Sequence, residues 1–213
     1  MKLYGFPSSP YVRKNLVHAE EKGFPFELVI AAPHKVTPEF AKASPFRKIP
    51  ALSDGDFNLA DSSAIAHYLE ALYPDPPLVP KDAKLGARVI WLEEFADSIL
   101  AIPAIALSFN LFVGPKVLNI PTDEGAVEKA REALGPVFDY LESIIPENGW
   151  LLGENFTLAD IAVASALRTM QYGWDQMPAR TRAWYERVKA RPSWQSVAAI
   201  EKTHIEHALQ NGL

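Results

Sequence analysis

The sequence predicts an α/β domain followed by an all-helical domain. Three observations carry this. Strand-like and helix-like runs alternate up to Leu72, four prolines crowd into the twelve residues Tyr73–Lys84, and strand signals nearly vanish beyond them. Proline fixes φ and lacks an N–H donor, so neither a helix nor a central strand tolerates such a segment. The domains are therefore placed at residues 1–76 and 85–213, with 77–84 as a linker.

Each element has a local reason. Lys2–Phe6 is a short apolar-aromatic strand. A helix follows with Val12, Leu16 and Ala19 on one face, and Gly23 stands where a glycine commonly ends a helix. "FELVI" (Phe26–Ile30) is a second β-rich run. After a polar, proline-marked stretch, Ala51-Leu52 and Phe57–Leu59 are joined across Asp54-Gly55, a strong hairpin signal. "DSSAIAHYLEAL" (Asp61–Leu72) has a polar start and then Ile65, Tyr68, Leu69 and Leu72 at helical spacing. In the second domain, Ala83–Ile102 reads as a helix bent or stopped by Pro103. Thr122–Ile145 keeps one apolar face with Gly135-Pro136 as a kink, and helices follow at Thr157–Tyr172, Pro178–Arg191 and Ser193–Ala208. No internal repeat is visible.

Composition narrows the function. The 213 residues are 48% hydrophobic and 22% charged, an ordinary globular balance. A net charge of -5 without a clustered basic surface gives no reason to expect nucleic acid. With no cysteine, disulfides, thiolate metal sites and cysteine nucleophiles are excluded. The five histidines form no metal-ligand pattern, His204 and His207 reading as a solvated helix face, so no metal is expected. "MKLYGFPSSP" lacks a signal-peptide apolar run, and Ile99–Val113 is too short to span a bilayer. A cytoplasmic protein with no membrane partner is expected.

Three short motifs could carry function or only structure. In "YGFPSSPYVRKN" (Tyr4–Asn15), Pro10 suits the first helical position and pushes Ser9 into the extended geometry of an N-cap. A hydroxyl has one donor and two acceptor sites. Ser9 could thus accept from the N–H of Tyr11 or Val12 and still donate outward to an anion, which the partial positive charge of a helix N-terminus favours. Ser8, one residue outside, is the second candidate. In "SPFRKIPAL" (Ser44–Leu52), Pro50 is either a trans proline at a strand edge or a cis Ile49-Pro50 bond that turns the backbone of Ile49 toward an extended ligand. In "FTLADI" (Phe156–Ile161), Thr157 and Asp160 make a capping box, with Phe156 and Ile161 as a hydrophobic staple. That motif reads as stability.

Taken together, "SSPYVRK" (Ser8–Lys14), "KIPAL" (Lys48–Leu52), "LADSSAIAHYL" (Leu59–Leu69), "FTLADIAVA" (Phe156–Ala164) and "KARPSWQ" (Lys189–Gln195) resemble a glutathione S-transferase across essentially the whole chain. The resemblance implies a thioredoxin-like N-terminal domain, a helical-bundle C-terminal domain and a homodimer. It implies no cofactor, with glutathione as co-substrate and a small apolar electrophile as its partner. It points to the serine-type phi, theta and zeta branches, where a serine at the first helix donates its hydroxyl to the glutathione thiolate. Phi-like members align that serine with Ser9 and zeta-like members with Ser8. The N-cap reading agrees with Ser9. Further roles carry over residue by residue. Ile49, beside Lys48 and before Pro50, would pair its backbone with the cysteinyl backbone of glutathione. Asp61 and Ser62 would hold the γ-glutamyl end, and His34 and Lys35 the glycine carboxylate. Apart from these carried-over roles, an apolar electrophile pocket is expected, with Phe6, Pro7 and Phe109 as candidate lining residues.

Three rival readings fit the same residues. Tyr4 is an alternative thiolate donor of the tyrosine type, although its place inside a strand suits packing. A non-catalytic transferase-like binding module would need the fold and the capping box but no donor. A glutathione-dependent isomerase of a small keto-acid ester is favoured if Ser8 is the working serine.

Overall fold

Among the described residues, four short strands form the sheet of the first unit: β1 (Lys2–Gly5), β2 (Glu27–Ile30), β3 (Ala51–Asp54) and β4 (Phe57–Ala60), in the order β2-β1-β3-β4. The structure is a computed structural model describing residues 1–24, 26–32 and 36–211. β1 and β2 are parallel, while β3 runs antiparallel to both of its neighbours. A parallel pair needs a crossover, and α1 (Pro10–Glu21) supplies it. The hairpin forms, with Asp54 paired to Phe57 and Gly55 at φ +58. Its two loop residues are therefore Gly55 and Asp56, one position beyond the Asp54-Gly55 pair read from the sequence.

α1 buries Val12, Leu16 and Ala19 as its periodicity requires. At its end Gly23 has φ +65, and its N–H donates to Glu20 O while that of Phe24 donates to Ala19 O. That closes the helix in the way a C-terminal glycine permits. The same helix also buries Arg13, Lys14, Asn15 and His18, which no apolar pattern anticipates. Each meets a polar partner: Arg13 Nε donates to Glu201, Lys14 Nζ to Ser63 Oγ, Asn15 Nδ2 to Tyr11 O, and the His18 ring lies 3.3 Å from Glu70. Burying such groups costs free energy unless they are hydrogen-bonded, so these bonds are what makes the arrangement possible.

The proline-marked stretch before β3 contains a helix, α2 (Pro38–Ala43). Thr37 caps it, accepting from Phe40 N at 3.2 Å, and Pro38 takes the first helical position. Phe40 and Ala43 from α2 join Tyr4, Ala31 and Ala51 in one buried cluster. Tyr4 is thus committed to packing, its ring 6.0 Å from that of Phe40. α3 (Ser62–Leu72) completes this unit together with Pro192–His204 of the last helix. The chain between α3 and the next helix is held by polar contacts: Leu78 N donates to Glu70 and Lys22 Nζ to Pro76 O.

The second unit comprises Val79–Arg191 and the end of the chain from Ile205. It is helical: α4 (Ala83–Phe95), α5 (Ala101–Ser108), α6 (Glu124–Ile144), α7 (Leu158–Met170), α8 (Ala179–Lys189) and the end of α9 (Pro192–Asn211). Pro103 does not stop the first of these. Wide π-type turns at Ala96–Leu100 and Phe109–Leu118 make residues 83–118 one helical run of 36 residues. π-type turns relax the i→i−4 ladder, which is where a proline lacks its donor. By length and composition this run is apolar enough to cross a membrane, contrary to the shorter segment read from the sequence. Within the bundle α5 packs on α6 and α7, while Ile99, Ile102 and Phe109 of the same run stay exposed. α6 likewise continues through Pro136.

Asp160 is fully buried at the start of α7. Its carboxylate accepts from the N–H and hydroxyl of Thr157, from Leu151 N and from Trp184 Nε1 at 3.0 Å. Burial pushes this carboxyl above the ordinary range, and the bonds from Leu151, Thr157 and Trp184 pull against that shift. The capping box is present, but the carboxylate does more than cap. It ties the preceding loop and α8 to α7.

Candidate functional site

The register of the sheet decides where the candidate residues meet. Ala51 pairs with Tyr4 on one side and Ala60 on the other. The end of β1, the start of β3 and the end of β4 therefore lie at one end of the sheet. The Phe6–Ser9 turn follows β1, Pro50 immediately precedes β3 and Asp61 follows β4, so all three adjoin that end.

Two contacts draw them closer. Gly5 has φ +152, and a Cβ there would stand 2.5 Å from Val12 Cγ2 and 3.4 Å from Ile49 Cβ. Only glycine lets β1 pass this closely between α1 and the Ile49-Pro50 segment. The Asp61 N–H donates to Pro50 O at 3.4 Å.

Ser9 occupies the N-cap of α1 with extended backbone, φ -68 and ψ 131, and Pro10 follows at the first helical position. The side-chain bond expected of a capping serine is not formed. The helix start is closed through the backbone, where Arg13 N donates to Ser9 O at 2.9 Å. Ser9 is 6% exposed. A buried hydroxyl is thus held at the positive end of a helix without being spent on the cap. Ser8 beside it is half-buried, and its carbonyl accepts from Arg13 Nη2 at 3.1 Å. Pro7 is buried and Phe6 half-buried in the same turn.

The Ile49-Pro50 bond is cis, as is Asp75-Pro76, which the sequence reading did not single out. Ser44 shapes the loop before it. Its carbonyl accepts from Arg47 N, and its hydroxyl donates to Lys48 O at 2.7 Å. Lys48 is exposed and Ile49 half-buried.

Asp61 caps α3: Oδ1 accepts from Ser63 N at 2.9 Å and Ala64 N at 3.1 Å. The residue sits at φ +89, a conformation L side chains rarely adopt, and it is exposed. Backbone strain of this kind costs on the order of 1–3 kcal/mol and tends to persist at functional sites. Ser62 is buried next to it. Lys14, with no exposed surface, donates to Ser63 Oγ at 3.3 Å. The first turn of α3 therefore has an ammonium beneath it and a carboxylate at its mouth. Lys14 was not anticipated; a lysine inside a helix reads as solvent-facing until the helix covering it is known.

His34 and Lys35 lie outside the described residues. Phe109 belongs to the helical unit, opening its second π-type segment, and is exposed. His204 does not lie on a solvated face, since it is half-buried and its ring stacks on Phe6 at 6.1 Å. His207 is exposed. Among the described residues no group of three or more His, Asp or Glu is placed to hold a metal ion.

Comparison with known proteins identifies the family of this fold. The family pattern described as "Glutathione S-transferase, N-terminal domain" matches residues 3–77, and "Glutathione S-transferase, C-terminal domain" matches 104–192. The chain belongs to the glutathione S-transferase family. Glutathione S-transferase 3 of Zea mays is 37% identical over 213 residues, covering 94% of each chain. Among solved structures, glutathione transferase F2 of Populus trichocarpa superposes with a TM-score of 0.85 at 28% identity, covering 95% of this chain and 99% of that one. A glutathione S-transferase-I bound with lactoylglutathione superposes at 0.81 with 28% identity, covering 93% and 98%. The family's fold, a thioredoxin-like domain followed by a helical one, is the fold of this chain.

Proposed function

We propose that this transferase is a serine-type, phi-like enzyme that binds reduced glutathione at the end of the sheet and conjugates its sulfur to apolar electrophiles. The carrying observation is the Ser9 hydroxyl: buried at the mouth of α1, at a helix N-terminus, and making no cap bond. An oxygen in that position has its proton available for a thiolate.

The chemistry follows from the ionisation of sulfur. A thiol with pKa about 8.5 is only about 3% thiolate at pH 7. Lowering its pKa by about two units makes it mostly thiolate, a gain of about 25-fold in nucleophile. A donated hydroxyl proton and the helix dipole both favour the anion. The thiol proton leaves to solvent, sulfur forms a bond to the electrophilic carbon, and the displaced group departs with its electron pair. Catalysis is then thiolate stabilisation and positioning, with no covalent enzyme intermediate.

The remaining roles are assigned on the same basis. Ile49, adjoining the cis proline and Lys48, offers backbone to the cysteinyl residue of glutathione. Asp61 and Ser62, with the amides of the first turn of α3, receive the γ-glutamyl end: the Asp61 carboxylate suits the ammonium, and the helix N-terminus suits the α-carboxylate. His34 and Lys35 are assigned to the glycine carboxylate. Residues 1–76 are assigned as the glutathione domain and 85–213 as the helical domain, except that Pro192–His204 of the last helix belongs with the first; Phe6, Pro7 and Phe109 are assigned to the electrophile. The active form is assigned as a cytoplasmic homodimer. Structures of glutathione transferases, one of them solved with lactoylglutathione, lend support to the ligand class.

Retention on glutathione-agarose followed by aryl-halide conjugation tests this reading. Both are expected. Retention without turnover would favour a binding module, and neither would overturn the glutathione assignment.

A further inference from the structure

With no cap bond on its side chain, Ser9 relies on its backbone to place the Cβ that carries the hydroxyl. The peptide joining Ser8 to Ser9 is gripped at both ends. Its carbonyl, on Ser8, accepts from Arg13 Nη2 at 3.1 Å. Its N–H, on Ser9, donates to Phe6 O at 3.1 Å. The plane of that peptide sets the direction in which the Cα–Cβ bond of Ser9 leaves the chain.

Both grips are backed by the same face of α9. Arg13 is 1% exposed, and its Nε donates to Glu201 Oε2 at 2.9 Å, the Glu201 side chain being 1% exposed as well. Three residues on, His204 stacks its ring on Phe6 with 8° between the planes. Residues i and i+3 of a helix share a face. Glu201 thus anchors the group that holds the carbonyl, while His204 steadies the residue that holds the N–H. A pair this deeply buried loses its solvation, so it is poor value as stabilisation alone. Through Arg13 Nη2 it reaches the carbonyl of the Ser8–Ser9 peptide.

We propose that Arg13, anchored by Glu201, is a positioning residue that fixes the direction of the Ser9 hydroxyl toward the glutathione sulfur, with His204 bracing Phe6 in the same device. The inference rests on Ser9 being the thiolate donor. It adds that the last helix of the chain, 188 residues away in sequence from Arg13, tunes the nucleophile without touching it.

The test uses the full chain with reduced glutathione as probe, and the variants Glu201→Gln, Arg13→Lys and Ser9→Ala. Three quantities are read: the pKa of the bound thiol from its ultraviolet thiolate band, kcat and KM for aryl-halide conjugation, and the unfolding midpoint. Glu201→Gln is expected to raise the bound-thiol pKa by about one unit and lower kcat about threefold at neutral pH, as the thiolate fraction falls from about three-quarters to about one-quarter. KM for glutathione should stay within about twofold, since the ligand's ends are held elsewhere. Arg13→Lys keeps the charge but cannot span both partners, so it should do the same even if Glu201→Gln folds poorly. In a Ser9→Ala background, Glu201→Gln should add no further shift in thiol pKa. A lowered midpoint with an unchanged bound-thiol pKa in both variants would overturn the positioning role and leave a structural pair. An unchanged pKa in Ser9→Ala alone would instead remove the serine assignment, and with it this use of the clamp.

Discussion

Two helix mouths in this protein are built from similar residues and used in opposite ways. At α7, Thr157 and Asp160 are spent on structure: one buried carboxylate serves the Thr157 N–H and hydroxyl, Leu151 N and Trp184 Nε1. At α1, Ser9 stands in the N-cap position, yet its hydroxyl makes no cap bond and the backbone closes the helix instead. The mouth of α3 lies between them, with Asp61 capping through Oδ1 while remaining exposed. A capping residue contributes stability when its polar atoms are consumed locally. When they are left over, it can serve a ligand.

Substitutions at the three helix mouths separate structural from ligand-serving groups. Asp160→Ala should destabilise the fold by about 3 kcal/mol or more, because several buried donors lose their acceptor at about 1–3 kcal/mol each. Chemical denaturation would measure it, and a loss under about 1 kcal/mol would mean the carboxylate is not the hub of that unit. Asp160→Asn reads its ionisation. The raised carboxyl pKa means the protonated form is favoured in the folded state, so this contribution is present at acid pH and lost as pH rises through the folded pKa. Denaturation at several pH values should show wild type losing ground to Asp160→Asn as pH rises. The opposite slope would contradict the assigned effect of burial.

Asp61→Ala and Asp61→Asn separate the two duties of the α3 cap. The alanine variant should lose about 1 kcal/mol of stability and also bind glutathione more weakly. The asparagine variant keeps a capping oxygen without the charge. It should retain stability and lose about tenfold in glutathione affinity by calorimetry, with bound-thiol ionisation little altered. Unaltered affinity in both would leave Asp61 a cap and nothing more. Thr157→Ala should cost about 1 kcal/mol, up to roughly 2, with no effect on glutathione binding.

Much of this was legible locally. The β-α-β order, the hairpin, the α3 start and the Thr157–Asp160 box each depend on residues a few positions apart, and such signals survive in a single sequence. The cis Ile49-Pro50 bond was one of two readings that the sequence left open, and the structure decided between them. α2 was passed over although Thr37-Pro38 repeats the logic of Ser9-Pro10, because six residues carry too little periodicity to announce a helix. The continuation of the helix through Pro103 was hidden for a different reason. Wide turns on either side of α5 accommodate it, and no residue type signals them in advance. The partners of Arg13 and Lys14 were out of reach altogether, since Glu201 and Ser63 meet them only after distant helices pack. Buried charge is specified by tertiary structure.

Under the proposed function, Ser9 is positioned for a ligand and contributes little to the fold. Ser9→Ala, with the pKa of bound glutathione followed by its thiolate absorbance and stability by denaturation, tests it directly. The expected result is a bound-thiol pKa raised by at least about one unit, with stability within about 0.5 kcal/mol of wild type. A cap-sized loss of stability with an unmoved thiol pKa would show that this serine is the helix cap it was placed to be, and the nucleophile would need another donor.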